Sequence, residues 1–205
     1  VRIVNAEFKS LALFPLGMTL FPDGIIALNI FEPRYLSMIK SHHQRGEPFG
    51  VITLIKGLEI VLPEQEISLA GVGTLAKIIE FEELQPALFR IKCVGWSRFK
   101  IQHQLSQKSG VHYASVTLME PDPVESIPLN LQDVATTLGK FIAQNQQQGV
   151  KLKDFPFTQP FRLDECGWVA NRWAEILTLE REEKVELLSI PDPVQRLSRI
   201  REILF

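Results

Sequence analysis

The sequence predicts an α+β fold, a β-barrel at the N-terminal end followed by a small C-terminal helical bundle, and three observations carry that expectation. From Ser10 to about Glu120 the apolar residues come in short runs with strand spacing, separated by Gly, Pro and charged turns. After Met119 the texture changes to a Pro-rich acidic stretch, EPDPVESIPLN, beyond which apolar residues recur at helical spacing to the end. The composition is that of an ordinary globular chain, 205 residues with 45% hydrophobic and 22% charged, and such a chain buries roughly 70% of its unfolded surface. The boundary is expected near residue 124, which gives a barrel over 1–123 and a bundle over 124–205.

Strands are expected over 11–14, 25–30, 49–55, 59–62, 68–81, 88–101 and 112–119, a number that suits a closed or nearly closed barrel. One helix interrupts them. Pro33 has the fixed φ of a first helical position, Gly46 is its stop, and Leu36, Ile39 and His43 share a face. Glu32 and Arg34 flank the proline where the period changes. An acidic residue suits a helix start electrostatically, whereas Arg34 stands at the wrong end for that interaction.

In the C-terminal part Leu131, Val134, Leu138, Phe141 and Ile142 form one stripe, ended by Gly149. Cys166, Val169, Ala170, Trp173, Ile176 and Leu177 form a second. A third helix is expected over 180–189, and a fourth begins at DPVQ, with Asp192 as cap, Pro193 at the first helical position and Gln195 closing a capping box. Val194, Leu197, Ile200 and Leu204 make its inward face, so the helices form a bundle.

The net charge is 22 minus 24, or −2, which supplies no global field for nucleic acid or anionic lipid. Cys93 and Cys166 lie far apart in apolar surroundings, the pattern of two reduced core thiols. No apolar run approaches the ~20 residues that span a bilayer, and no basic-then-apolar leader is present. A cytoplasmic location without membrane contact is the expectation.

The search for catalytic chemistry is mostly negative. Gly139-Lys140 lacks the preceding glycine of a phosphate-binding loop, so ATPase chemistry is not expected. GVGTLA at 71–76 fits G-x-G-x-x-A, but β-type sequence follows where a dinucleotide fingerprint needs a helix; a bulge or sharp strand bend is the expectation. GWSRF at 95–99 is half of a nucleophile elbow, with Phe99 where the second glycine belongs, so Ser97 is read as a turn serine. His42, His43, His103 and His112 show no metal-ligand spacing. The pairs Glu82-Glu83 and Glu182-Glu183 read as solvated faces. No catalytic residue, metal or cofactor is assigned.

Two surfaces stand out. Arg90, Lys92, Arg98 and Lys100 alternate with Phe89, Ile91, Phe99 and Ile101, which puts positive charge on one sheet face on either side of Gly95. RNA binding uses such a stripe, and an ordinary solvated outer face produces the same pattern. FPFTQPF at 155–161 places Phe155, Phe157 and Phe161 between helices. They form either an exposed apolar lip for a partner or rings that pack the bundle against the barrel.

The segments LFPLGMTLFPDGIIALNIFEPRYLSMI, GEPFGVITLIKG, LAGVGTLAKI and GWSRFKI, in that order, resemble the N-terminal substrate-binding domain of Lon proteases. LTLEREEKVELLSIPDPVQRLSRI is similar to the helical extension of the same domain. The resemblance implies a PUA-like β-barrel followed by a helical bundle, and a role in recognising unfolded or damaged polypeptides and organising assemblies. The ATPase and Ser-Lys protease modules of Lon have no counterpart before Phe205, so a free-standing, non-catalytic module is expected. Its partner would be an unfolded polypeptide or a protein, RNA being the alternative, and self-association is left open. The family signature falls on Phe14, Pro15, Leu16, Pro22, Phe31, Glu32, Pro33, Arg34 and Tyr35. Glu32 and Arg34 are expected to fix the start of the first helix against the barrel, since half-buried charges need partners.

Overall fold

Six strands and five helices are seen in the computed structural model, which describes residues 6–57 and 68–205. The strands are β1 (Glu7–Leu16), β2 (Ile25–Ile30), β3 (Phe49–Lys56), β4 (Ser68–Gln85), β5 (Leu88–Lys108) and β6 (Val111–Leu118). The helices are α1 (Pro33–Arg45), α2 (Gln132–Gln147), α3 (Cys166–Ile176), α4 (Arg181–Ser189) and α5 (Pro193–Leu204). The strand expected over 59–62 lies outside the described residues. Among the described residues no helix is long and apolar enough to cross a membrane.

The sheet runs β2-β5-β4-β3-β1-β6, and β5 also pairs with β6. Five strands therefore close into a barrel, and β2 is a sixth strand added to its rim. The length of β5 makes this arrangement work: residues 89–94 run along β2, residues 99–108 along β6, and β4 holds the opposite edge. Only β1 and β3 pair in parallel, with β2 and α1 between them in the chain.

Glycine is required where the barrel wall is tightest. A Cβ at Gly73 would lie 2.5 Å from Val51 O and 2.6 Å from the Phe99 ring, whereas nothing surrounds one at Gly71. Of the two glycines in GVGTLA, only Gly73 answers to a lack of space. The neighbouring shift of register between Thr74 and Ala76 is the irregularity expected there.

α1 starts at Pro33 and ends at Gly46, whose φ of 63° is left-handed. Its buried face is Tyr35, Met38 and Ile39, with Leu36 half-buried and His43 stacked on Phe81 at 4.3 Å. This face joins Phe14, Ile26, Ile30, Phe49 and Ile91 in one core cluster, so α1 plugs the barrel. Arg34 ties its first turn in place. The guanidinium contacts Glu32 Oε2 at 2.8 Å, donates to Gly110 O at 3.1 Å in the β5–β6 turn, and lies 4.4 Å from the Tyr35 ring centroid.

The bundle core unites Val134, Leu138 and Ile142 of α2, Val169, Ala170 and Trp173 of α3, and Leu197 and Ile200 of α5. Asp192 caps α5 by accepting from the Val194 and Gln195 N–H groups. Glu183 Oε2 accepts from the Glu180 N–H at 3.1 Å at the start of α4, so the reciprocal box is found there. Phe155 and Phe157 are buried and Phe161 half-buried, and the rings of Phe157 and Phe161 lie 5.7 and 5.9 Å from that of Trp168. These three residues close the bundle core and do not form an exposed lip.

Candidate functional site

β2 pairs on one side only, with β5, from Ile25↔Val94 to Ile30↔Phe89. Its other side is occupied at the start by the chain itself. The Ile25 N–H donates to Pro156 O at 2.8 Å, the Thr158 N–H donates to Asp23 O at 2.9 Å, and Gly24 forms an antiparallel bridge with Phe157. Backbone groups of successive residues in a strand point to opposite edges. Ala27 and Asn29 therefore turn their N–H and C=O to the same outer edge as Ile25, where no strand among the described residues pairs with them. Their side chains are exposed, while Ile26 and Ile30 enter the core.

Beside the start of this edge lies a pocket of about 140 Å³ lined by Met18, Leu20, Ile25, Ile26, Pro156 and Ile176, with Thr19, Glu175 and Lys184 as its polar members. Each polar member is engaged with the protein. The Thr19 and Thr53 hydroxyls bond at 2.8 Å, and Lys184 Nζ donates to Glu175 O at 3.3 Å. Glu175 Oε1 accepts from the Phe21 N–H at 3.3 Å, and Oε2 lies 3.0 Å from Arg172 Nη2. Burial pushes the Glu175 carboxyl up to about 7, against the opposing pull of Arg172. Arg172 also donates to Pro22 O at 2.6 Å, so this pair fixes the turn that leads into β2. A Cβ at Gly24 would fall 1.9 Å from Glu175 Oε1, so any larger residue in that turn would displace the carboxylate from the Phe21 N–H.

A second, polar cleft of about 210 Å³ lies between barrel and bundle, lined in part by Trp96, Ser97, Arg98, Asp122, Arg162 and Trp168. Its charges face one another. Arg162 pairs with Asp23, and Lys77 Nζ lies 3.6 Å from the Trp96 ring centroid. Asp122 accepts from Arg98 Nη2 at 2.7 Å and from Arg196 Nη1 and Nη2 at 2.6 and 3.0 Å. Further guanidinium protons reach carbonyls at the end of α4 and the α4–α5 turn, Arg98 donating to Leu188 O and Ile190 O and Arg196 to Leu187 O and Ile190 O, while Arg196 Nη1 also donates to Asn171 Oδ1 at 3.0 Å. Burial, with Arg196 adding to it, pushes Arg98 down to about 10. A Cβ at Gly167 would lie 2.6 Å from Asp122 Oδ2, so glycine lets the first turn of α3 approach this carboxylate.

The residues singled out in the sequence separate into three groups. Phe14, Pro15, Leu16 and Tyr35 are buried, with the Phe14 and Tyr35 rings 4.3 Å apart, and Glu32 with Arg34 anchors α1. Phe31 alone of the signature is an exposed large apolar residue, at 57%, and it directly follows the free edge of β2. The basic residues do not make one exposed stripe: Arg90 faces Glu82 at 3.4 Å, Lys92 faces Glu80 at 3.0 Å, Lys100 is exposed, and Arg98 is 3% exposed beneath the α4–α5 turn. Cys93 and Cys166 are buried free thiols.

Ala27, Asn29, Met18, Glu175, Asp122 and Arg196 went unmarked in the sequence. One signal was present. Arg172 and Arg196 stand on the apolar faces of their helices, four residues before Ile176 and Ile200, where a charge requires a buried partner.

A barrel closed on itself and locked to a helical bundle by buried ion pairs thus presents, along β2, a free strand edge beside an apolar pocket. The family follows from sequence: the chain belongs to the ATP-dependent protease La (LON) substrate-binding domain family, whose model matches residues 10–205. The structure is similar to the crystal structure of a Lon N-terminal domain protein from Xanthomonas campestris, with a TM-score of 0.74 and 27% identity over 95% of this chain and 98% of that one. The N-terminal domain of Mycobacterium avium complex Lon protease shares the fold, with a TM-score of 0.59 and 16% identity over 95% and 97% of the two chains. Protein cereblon of Xenopus tropicalis is 27% identical over 120 residues, which make up 55% of this chain and 25% of cereblon. The chain thus matches about a quarter of that relative's length.

Proposed function

We propose that this domain recognises unfolded or damaged polypeptide by pairing an extended segment with the outer edge of β2, as a binding module without catalysis of its own. The observation that carries this reading is the contact already made there: residues 156–158 pair with the start of β2, and the edge continues past them at Ala27 and Asn29. An open edge is a template for any chain whose own backbone groups are unpaired. Folded proteins offer few such segments, so preference for unfolded chains follows from the geometry.

The strength expected from pairing alone is modest. Ala27 and Asn29 offer two donors and two acceptors; at ~1 kcal/mol net per hydrogen bond they supply ~4 kcal/mol, which the cost of immobilising the chain largely offsets, so side chains must contribute to the affinity. Membership of the substrate-binding family supports the same reading. The test is fluorescence anisotropy of a labelled unfolded polypeptide and its folded counterpart at two salt concentrations, with Asn29→Pro as the variant. Proline removes an outward N–H that the β5 ladder does not use, so the edge strand tolerates it. The expected result is preference for the unfolded chain, weak salt dependence, and affinity reduced about fivefold in the variant. Equal binding by Asn29→Pro with unchanged thermal stability would overturn the strand-edge reading.

A further inference from the structure

Resting on the strand-edge reading, we propose that the pocket formed by Met18, Leu20, Ile25, Ile26, Pro156 and Ile176 takes one uncharged hydrocarbon side chain of the paired segment, leucine to phenylalanine in size. The domain then reads a large apolar residue at a set position along an extended chain, rather than unfolded backbone in general.

Three features of the pocket support this. The first is position. Ile25 and Ile26 belong to β2, and Pro156 supplies the carbonyl that accepts from the Ile25 N–H, so the pocket opens where the chain's own pairing segment gives way to the free edge. A segment paired at Ala27 and Asn29 directs alternate side chains to one face of the sheet, and the residue nearest Ile25 on that face meets the pocket.

The second feature is the wall. Although Thr19, Glu175 and Lys184 are polar, the Thr19 hydroxyl is held by Thr53, the carboxylate by the Phe21 N–H and Arg172, and the ammonium by the Glu175 carbonyl. A polar guest would lose its water against a wall that is apolar at six of its nine lining residues, a penalty that an apolar guest does not meet. The third is size. An apolar cavity of about 150 Å³ accommodates benzene, so about 140 Å³ suits Leu, Ile, Met or Phe and is too small for Trp.

The experiment uses the full chain and a short labelled Ser/Thr-rich host peptide with one guest position occupied by Leu, Phe, Ala, Asn or Trp. Asparagine is the informative guest, because it matches leucine in shape but carries an amide. The Leu and Phe peptides are expected to bind about ten- to a hundredfold tighter than the Ala and Asn peptides, from the apolar surface that the pocket removes from water. In Met18→Glu, which places a carboxylate at the half-exposed mouth, the Leu-to-Asn ratio should fall to near one. Wild-type protein that binds all five guests alike, with binding weakened in Asn29→Pro, would overturn the pocket and leave the edge standing. Guest discrimination in the wild type together with unchanged affinity of every guest for Asn29→Pro would overturn the edge instead, and a Leu-to-Asn ratio unaffected by Met18→Glu would move the selective contact elsewhere and overturn the pocket.

Discussion

Asp122, between Arg98 and Arg196, receives hydrogen bonds from both guanidiniums, and those two arginines go on to bond the carbonyls of the α4–α5 turn. On β2, by contrast, Ala27 and Asn29 turn donors and acceptors to an edge that no strand among the described residues completes. The joint is built from groups that would be costly to bury alone, and its mutual satisfaction fixes how barrel and bundle meet. The edge is built from groups that water satisfies until a chain replaces it, which makes it available for exchange. Arg172 and Glu175 stand between the two cases. They are buried like the joint, yet they hold the turn that aims β2.

The largest effect is expected at the joint. Asp122→Ala leaves two buried guanidiniums facing each other and should destabilise the fold by about 3–5 kcal/mol in urea denaturation. A loss below about 1 kcal/mol would mean that solvent reaches the site and that the contrast with the edge is not one of burial. Arg34→Ala comes next, removing a charged hydrogen bond to Gly110 O and the pair with Glu32, with an expected cost of about 2 kcal/mol. Binding to unfolded polypeptide should survive it. If binding is lost while stability is kept, Arg34 belongs with the edge rather than with the scaffold.

Glu175 sharpens the comparison through pH. Its folded carboxyl titrates near 7 against an ordinary value of 4.5, so between those values the folded state holds a proton that the unfolded state has released. The resulting stabilisation is fully present below about 4.5 and is lost as pH rises through about 7. Measured against Glu175→Gln, wild-type stability should rise on acidification across this window, by at most about 1.4 kcal/mol per pH unit. A parallel course for the two proteins would place the carboxylate in water.

Local signals were legible in the sequence. Pro33 and Gly46 delimit α1, and Asp192 caps α5, because a cap or a fixed φ acts within a few residues. The α+β class followed from two spacings, which depend on which face each element buries. Strand ends were less legible. β5 runs on to Lys108 through a polar stretch because β6 is there to pair with it, and nothing local announces a partner. For the same reason Arg98 looked like Arg90: both alternate with apolar neighbours on one strand, but helices folding back from about 90 residues later cover only Arg98. A free edge is likewise a property of topology. Ala27 and Asn29 carry no distinguishing chemistry, and only the strand order shows that their backbone groups are open.

The central claim is tested most directly by residue-resolved amide hydrogen exchange, with and without a saturating unfolded polypeptide. Pairing on the edge predicts slowed exchange at the Ala27 and Asn29 amides on addition of the polypeptide. Bound polypeptide with both amides exchanging as before would contradict it and remove the β2 edge from the recognition surface.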